Sequence, residues 1–210
     1  MRFHKSRITP RLASDKLSQM VRCDSYLEKD FFIQLDFDPA VIAWRAHPFQ
    51  ISYLYRGRLR RYTPDALVLR RKVSGIVYQV VEVTSSYLLA KDEVARAIEV
   101  GERFCSDKGW EYRVVTEKEV RSGHFLENIK RIRRYRRQRP PLQYLLAIRE
   151  GLSSMGGQAS IADLADAVKR LNTDHIIPYI YLLLYNRELF ADLQSPLTRG
   201  TLVGVTPARR

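Results

Sequence analysis

The chain of 210 residues carries 36 lysines and arginines against 23 aspartates and glutamates, which gives a formal net charge of +13 at pH 7. Its 45% apolar content supports one domain or two small ones, and its 10% aromatic content excludes a disordered basic tail. No apolar run approaches the roughly 20 residues of a membrane-spanning helix, and the first residues lack the apolar stretch that is typical of a secretory signal. Two cysteines are too few for a disulfide scaffold. We therefore expect a cytoplasmic protein with a polyanionic partner, nucleic acid first and an anionic membrane surface second.

The first 140 residues follow the pattern of a mixed α/β domain. The pattern predicts, in chain order, a helix over 25–35, β segments over 49–55, 66–70 and 77–84, a helix over 91–108, a strand over 111–116 and a helix over 117–135. Asp24 or Ser25 caps the first helix, and Gly57 and Gly75 mark turns between the β segments. This order of elements is typical of an α/β/α sandwich.

The remainder of the chain is mainly helical. The pattern predicts helices over 142–151 and 160–168, a third helix from Thr173 or Asp174 through Arg187, and a short hairpin over 189–193 and 197–205. Ser160 caps the second of these helices, and Asp163 follows three residues later as in a capping box. Three short helices and a hairpin are the pattern of a winged helix-turn-helix.

The charge divides the chain. Residues 141–210 have a net charge of +1, whereas residues 1–140 have +12, and 130–140 alone holds seven basic residues and no acid. The Pro140–Pro141 pair then stops any helix. We predict one domain over 1–129, the end of a basic helix and a linker over 130–141, and a second domain over 142–210.

Two acidic residues of the β segments point to metal chemistry. Asp65 follows Pro64, and Glu82 lies on the next predicted strand, so strand pairing can bring the two carboxylates together. Glu82 and Thr84 are two residues apart and therefore share a face of the strand. Carboxylates among apolar strand residues are costly unless they are paired or bind a metal, and hard oxygen ligands suit Mg²⁺. Glu28, on the first helix, supplies a third carboxylate. Taken singly, each acid also fits an ordinary turn, strand or helix surface position.

Four stretches together resemble the TnsA family of transposon endonucleases, the cutting subunit of heteromeric transposases. They are residues 26–31 with 36–39, residues 61–68, residues 81–83 and residues 115–123. The phrase Thr-Glu-Lys-Glu-Val-Arg-Ser-Gly at 116–123 is the most specific of them. The order Pro-Asp and then Glu on the following strand is shared with the whole restriction-endonuclease-like superfamily. With the basic segment and the helical C-terminal part, the resemblance covers nearly the whole chain.

The resemblance implies an α/β protein with a restriction-endonuclease-like α/β/α core, followed by a small, mainly helical, winged-helix-like domain. It implies a Mg²⁺- or Mn²⁺-dependent DNA endonuclease that cuts double-stranded DNA at the 5′ ends of the transposon during excision. The expected metal ligands are Glu28, Asp65, Glu82 and Val83. The implied partners are a transposase subunit that cuts the 3′ ends and an AAA+ ATPase regulator. The expected location is the bacterial cytoplasm, in association with the nucleoid.

Thr84 departs from the family pattern. The family usually has a lysine two residues after the strand acid, where its charge orients the water and balances the transition state. A threonine hydroxyl hydrogen-bonds a water but carries no charge, so reduced activity is expected. Lys91 or Lys29 can substitute in space, although both also fit exposed surface positions.

Basic residues in two places are candidates for DNA contacts. They are Arg58, Arg60 and Arg61 beside the Asp65 segment, and Lys130, Arg133, Arg134, Arg136 and Arg137 in the basic run. If the helix continues, Arg133 and Arg137 share a face. The same residues also fit a solubilising linker and a charged hairpin. The apolar helix over 175–185 lacks base-reading side chains and is expected to be core with a spare face for a protein partner.

Three functions remain open from the sequence. The first is the transposon endonuclease, with Glu28, Asp65, Glu82 and Thr84 in the catalytic site. The second is a weak or inactive docking module that links DNA, transposase and ATPase regulator, and Thr84 is its chief support. The third is a free-standing nuclease. No histidine has metal-ligand spacing with another or with a cysteine, so zinc is not expected. The sequence leaves open the transposon end sequence, the stoichiometry and the route of target selection, including RNA guidance.

Overall fold

The computed structural model describes residues 9–168 and 176–205. Contacts divide the chain into two units, residues 1–122 and 123–210. This division lies seven residues before residue 129, where the sequence places the end of the first domain. None of the helices in the described part of the chain is long and apolar enough to cross a membrane.

The first unit contains eight strands and three α-helices among its described residues. The strands are β1 (Arg11–Ser14), β2 (Gln19–Arg22), β3 (Val41–Ala46), β4 (Ile51–Tyr55), β5 (Arg58–Tyr62), β6 (Ala66–Lys72), β7 (Gly75–Val83) and β8 (Glu111–Val115). The helices are α1 (Tyr26–Phe37), α2 (Asp92–Lys108) and α3 (Glu117–Val120). The predicted elements up to residue 116 are confirmed, whereas β1, β2, β3 and β5 were not predicted.

A four-stranded sheet organises the first unit. Its order is β3-β6-β7-β8, and only the β7–β8 pair is parallel. Strands β1 and β2 form a separate hairpin, as do β4 and β5. Gly57, at φ +70°, turns the second hairpin, and Gly75, at φ +122°, lies where β7 follows β6. These left-handed backbone conformations suit glycine because it lacks Cβ.

Helices cover both faces of this sheet. Trp44, which pairs with Val68 across β3 and β6, stacks on Phe32 of α1 with ring centroids 4.7 Å apart. The indole Nε1 of Trp44 donates a hydrogen bond of 3.0 Å to the buried Asp36 carboxylate. On the opposite face, Tyr112 packs against Gly101 of α2. The layers are therefore α/β/α, with the predicted core architecture.

Gly101 allows the close approach of α2 to the sheet. A Cβ placed at this position would lie 2.7 Å from Cζ and 2.9 Å from Oη of Tyr112. Such distances are too short for carbon contacts, so any side chain at position 101 displaces the tyrosine ring. The glycine thus places the Tyr112 hydroxyl next to the strand that carries Glu82.

The single helix predicted over 117–135 is wrong. The chain instead forms α3 and then α4 (Phe125–Arg133), separated by a turn in which Gly123 adopts φ +59°. Asn128 of α4 is buried in the second unit, where its amide donates to the carbonyl oxygens of Leu193 and Ser195 at 2.9 and 2.7 Å. These bonds compensate the burial of the amide and fix α4 to the second unit.

The second unit contains helices and a small sheet. Its described elements are α4, α5 (Leu142–Ser154), β9 (Gln158–Ser160), α6 (Ile161–Ala167), α7 (Ile176–Tyr185), β10 (Leu189–Phe190) and β11 (Leu202–Val205). The sheet order is β10-β11-β9, antiparallel throughout. Ser160 caps α6 as predicted, since its Oγ accepts the Asp163 N–H at 3.0 Å. Thr173 and Asp174, the predicted start of the next helix, lie outside the described residues.

We predict that Gly101→Ala destabilises the protein. Alanine favours helix by about 1 kcal/mol over glycine, but the overlap with Tyr112 costs roughly 1–3 kcal/mol. The net result is a lower free energy of unfolding, measured by urea denaturation. Glu102→Ala, at the next and exposed position of α2, is the matched control and changes stability by less than about 0.5 kcal/mol. A Gly101→Ala variant more stable than the wild type would contradict this packing.

Candidate active site

A cavity of about 370 Å³ lies in the first unit. It is bounded by the start of α1, the segment that leads into β6, and the end of β7. The three predicted carboxylates, Glu28, Asp65 and Glu82, all line it, together with Val83 and Thr84. Three carboxylates that are far apart in the sequence therefore line one cavity, as strand pairing was expected to allow.

Helix capping orients Glu28. The Oγ of Ser25 accepts the Glu28 backbone N–H at 3.0 Å, and the Glu28 Oε2 accepts the Asp24 backbone N–H at 2.8 Å. This reciprocal pair of bonds resembles a capping box and satisfies free N–H groups at the start of α1. The Glu28 side chain is almost fully buried. The same local sequence that begins the helix thus directs a carboxylate into the cavity.

Backbone hydrogen bonds hold Asp65 on both sides. Its N–H donates to the Val81 carbonyl at 3.1 Å, and its Oδ2 accepts the Val83 N–H at 2.7 Å. Burial raises the pKa of the Asp65 carboxyl well above its ordinary value, and the charges of Glu82 and Glu28 raise it further. The Val83 N–H opposes this rise only in part. A proton or a cation is therefore favoured at Asp65.

Two tyrosines support Glu82. The Tyr62 hydroxyl donates to Glu82 Oε2 at 2.7 Å, and the Tyr112 hydroxyl lies 2.7 Å from that of Tyr62. Because the Tyr62 hydroxyl donates its hydrogen bond to Glu82, the hydrogen bond between the two tyrosines is donated by Tyr112 and accepted by Tyr62. Burial raises the pKa of both phenols, so both remain neutral donors. Burial also raises the pKa of Glu82 to about 7, against the opposing effect of the Tyr62 hydrogen bond.

The donor set fits a divalent cation. Burial raises the pKa values of Asp65 and Glu82, and the repulsion among Glu28, Asp65 and Glu82 raises them further. A bound cation removes both the repulsion and part of the desolvation cost. Carboxylate and backbone carbonyl oxygens are the ligands that Mg²⁺ and Mn²⁺ prefer. The assignment of these residues, with Val83, as metal ligands stays a prediction.

Thr84 is buried at the edge of the cavity. Its backbone N–H donates to the Val115 carbonyl at 3.0 Å, which continues the β7–β8 pairing beyond the strand. Lys29 and Lys91, the two suggested replacements for the family lysine, are not among the described residues that line the cavity. The cations that do line it are Arg60, Arg61 and Arg96. Within the described part of the chain, the positive charge that lines the cavity therefore comes from arginine.

Several site residues were not predicted. His47, Asp24, Tyr62 and Tyr112 all contact the carboxylates or one another. The capping pattern around Ser25 was a signal for Asp24, because the residue before a capping serine lies beside the helix start. Nothing in the sequence relates His47 or Tyr112 to Glu82, since strand register alone brings them together.

The predicted DNA-contacting residues fall into two groups. Arg60 and Arg61 line the cavity, and Arg58 is exposed next to the β4–β5 turn. In the second unit, α4 contains Lys130 and ends at Arg133. Arg134, Arg136 and Arg137 follow in a series of tight turns, with Arg136 N–H bonded to the Arg133 carbonyl at 3.3 Å. The helical face proposed for Arg133 and Arg137 is therefore wrong, although Arg134 and Arg137 are exposed.

An α/β/α core in which carboxylates from α1, from β7 and from the segment before β6 line one cavity is compatible with a nuclease. The comparisons with known proteins agree. Residues 38–117 match the family described as TnsA-like endonuclease N terminal, and this match supports a TnsA-type endonuclease with a restriction-endonuclease-like fold. The match contains Asp65, Glu82 and Thr84 and begins after Glu28. A comparison with curated proteins finds no significant match. The predicted resemblance is confirmed.

We predict that Glu82→Gln stabilises the metal-free protein at pH 8. The folded-state pKa of Glu82, about 7, lies above its ordinary value of 4.5, so folding favours the protonated form. Stability is therefore lost as the pH rises from about 4.5 to about 7, and the loss is complete above that range. Glutamine removes the charge and keeps an oxygen acceptor for Tyr62. The expected gain is at least about 1 kcal/mol at pH 8 and near zero at pH 4.

Urea denaturation in EDTA at both pH values measures this difference. Glu102→Gln, on the exposed side of α2, is the matched control and shows no pH-dependent gain. A Glu82→Gln variant less stable than the wild type at pH 8 would show that the carboxylate is compensated without metal.

Proposed function

We propose that the protein is the endonuclease subunit of a heteromeric transposase, and that it hydrolyses the DNA strand at the 5′ ends of the transposon. The observation that carries the proposal is the convergence of Glu28, Asp65 and Glu82 on one cavity, within a fold that contains a TnsA-like endonuclease domain. The domain supports a nuclease role in transposition. The strand that is cut, the metal and the partners belong to the proposal.

The chain's own residues have distinct roles in this mechanism. Glu28, Asp65, Glu82 and the backbone carbonyl of Val83 hold Mg²⁺ or Mn²⁺, which when bound supplies Lewis-acid activation of the phosphodiester and of a water. The Tyr62 hydroxyl, which is supported by Tyr112, holds Glu82 in one orientation through its hydrogen bond to Oε2. The Thr84 hydroxyl positions water by hydrogen bonding, without the charge that a lysine adds at this place.

The arginines beside the cavity suit the DNA backbone. Arg60 lies on the same face of β5 as Tyr62, because the two are separated by one residue. Both Arg60 and Arg61 line the cavity, where a cleaved phosphate would lie. We assign Arg58, Arg60 and Arg61 to phosphate contacts near the scissile bond. We assign Lys130, Arg133, Arg134, Arg136 and Arg137 to contacts elsewhere on the duplex.

The second unit suits protein partners. Its α7 is mainly core, because Ile176, Ile180 and Leu183 are buried. The exposed apolar residues lie instead on α5, where Leu142 and Leu146 are four residues apart and are 68% and 46% exposed. We propose that the 3′-end transposase subunit or the AAA+ regulator contacts this unit.

A second candidate is a docking module with little nuclease activity. Thr84 favours it, since the charge that usually assists the water is missing. The raised pKa values of Asp65 and Glu82 favour the nuclease, because an inactive module has no reason to keep mutually repelling carboxylates in a cavity.

We predict that Asp65→Ala and Glu82→Ala each abolish 5′-strand cleavage. The loss should exceed the roughly 10- to 100-fold that removal of a group hydrogen-bonded to a metal ligand costs, because here the ligand itself is removed. The assay uses transposon-end DNA, the reconstituted transposase and Mg²⁺. Asp107→Ala and Glu102→Ala, two exposed acids of α2, are matched controls that retain activity. Unchanged cleavage by both site variants would exclude the catalytic assignment.

Thr84→Lys separates the two candidates. An assembled site that lacks only a charge gains activity when lysine is introduced, by a factor of about 10 or more. A docking module stays inactive with either residue. The comparison is made at saturating Mg²⁺ in the same reconstituted reaction, with circular dichroism to confirm that the variant is folded.

We predict that Arg134 and Arg137 contribute to the salt dependence of DNA binding. Each lost phosphate contact lowers the slope of log K against log salt by about 0.9, so the double alanine variant loses up to about 1.8. Fluorescence anisotropy with duplex DNA at several salt concentrations measures the slope. The matched control replaces Arg149 and Arg199, two arginines of the same unit outside the basic run, and keeps the wild-type slope. An unchanged slope in the test variant would assign the basic run to a solvated linker.

A further inference from the structure

A histidine approaches the carboxylates at one end of the cavity. His47 Nε2 lies 3.3 Å from Glu28 Oε2 and 3.9 Å from Asp24 Oδ2, and the ligand atoms of these three residues all lie within 4.8 Å of one another. An ion with bonds of about 2.1 Å has neighbouring ligand atoms about 3 Å apart and opposite ones about 4.2 Å apart. Both distances from His47 Nε2 therefore fall within the range for one coordination sphere, and the third pair of atoms is bounded by 4.8 Å.

The His47 ring nitrogen is buried without a hydrogen bond. Nε2 has essentially no solvent contact and has no hydrogen-bond partner within the described part of the chain. The geometry of its approach to Glu28 does not make a hydrogen bond despite the short distance. A buried polar atom that is left unsatisfied costs about 1–3 kcal/mol. A ligand that accepts the nitrogen lone pair removes this cost.

The backbone fixes the direction of this ring. His47 adopts a left-handed conformation at φ +45°, and its N–H donates to the Asp65 carbonyl at 3.0 Å. Asp65 is itself bonded to Val83 at the end of β7. The histidine is thus placed by the same segments that place the predicted catalytic carboxylates.

We propose that Asp24, Glu28 and His47 form a divalent transition-metal site, with His47 Nε2 as a nitrogen ligand. The inference rests on the proposed function, since Glu28 is shared with the nuclease centre. Imidazole suits first-row transition metals, whereas Mg²⁺ prefers oxygen ligands and retains its waters. The mixed donor set therefore binds Mn²⁺ more tightly than Mg²⁺. Asp24 and His47 become site residues in addition to the carboxylates predicted from the sequence.

The test uses the metal-free full-length protein and Mn²⁺ as the probe. Pulsed EPR detects the coupling between bound Mn²⁺ and a directly coordinated imidazole nitrogen, independently of any nuclease reaction. The test variant is His47→Asn, because asparagine tolerates positive φ and keeps the backbone conformation. The matched control is His124→Asn, at the N-cap of α4, where asparagine is also well suited.

The wild type and His124→Asn are expected to show nitrogen coupling and equal Mn²⁺ affinity. In His47→Asn the coupling is lost and the affinity falls at least about 10-fold, and Asp24→Asn lowers the affinity while the coupling remains. Wild-type Mn²⁺ without nitrogen coupling, no Mn²⁺ binding, or coupling that persists in His47→Asn would each overturn the inference. If a variant does not fold, measurements on the wild type alone still test two of these outcomes, namely Mn²⁺ bound without nitrogen coupling and the absence of Mn²⁺ binding.

Cleavage assays distinguish this inference from the proposed function. If the protein cuts transposon-end DNA with Mg²⁺ but its bound Mn²⁺ shows no nitrogen coupling, the metal site at His47 is excluded and the nuclease assignment stands. Nitrogen coupling in a protein that does not cut DNA within the reconstituted transposase supports the site and removes the nuclease assignment.

Discussion

The mutual repulsion of Glu28, Asp65 and Glu82 constrains the whole first unit. Three carboxylates in one partly dry cavity oppose folding unless protons or a cation compensate them, and the raised pKa values of Asp65 and Glu82 express this cost. The fold holds them there nonetheless, with a helix cap at Glu28, a backbone amide at Asp65 and a phenol at Glu82. Stability that is given up at a site is typical of catalytic centres.

The supports of the site extend into the core. Gly101 of α2 leaves room for the Tyr112 ring, the Tyr112 hydroxyl bonds to that of Tyr62, and Tyr62 in turn holds Glu82. The parallel pairing of β7 and β8 places Tyr112 opposite Val80, on the face that carries Glu82. A glycine with no side chain of its own therefore helps to support the Glu82 carboxylate through two tyrosines. The same sheet presents its other face to α1, whose first turn supplies Glu28.

The sequence predicted the elements whose patterns are local. The cap at Ser25, the helix up to Lys108 and the strands that bear Asp65 and Glu82 were all expected from periodicity and turn residues. Strand β5 was missed because three of its five residues are arginines, which do not show the alternation of a half-buried strand. The helix expected over 117–135 was wrong because Gly123 adopts a left-handed conformation and Asn128 fixes the following helix to the second unit.

The sequence identified the three acidic residues of the candidate site but not the residues that surround them. Pro64 before Asp65 and the resemblance to TnsA endonucleases pointed to three carboxylates without any knowledge of strand register. Tyr112 and His47 reach the site only through that register, and a sequence without its pairing partners carries no signal of it. The arginines of the cavity were predicted in part. Arg60 and Arg61 were expected beside Asp65, whereas Arg96 belongs to α2 and reaches the cavity only through the packing of that helix.

Proton release on metal binding tests most directly whether these carboxylates form a metal site. Isothermal titration of Mg²⁺ or Mn²⁺ at pH 7, in buffers of different ionisation enthalpy, counts the protons released per ion. A release of protons is predicted, because burial raises the pKa of Glu82 to about 7 and keeps this carboxyl partly protonated at that pH, and because the pKa of Asp65 is raised as well. The release should fall in Glu82→Gln. Metal binding without proton release, or with the same release in Glu82→Gln, would contradict the account.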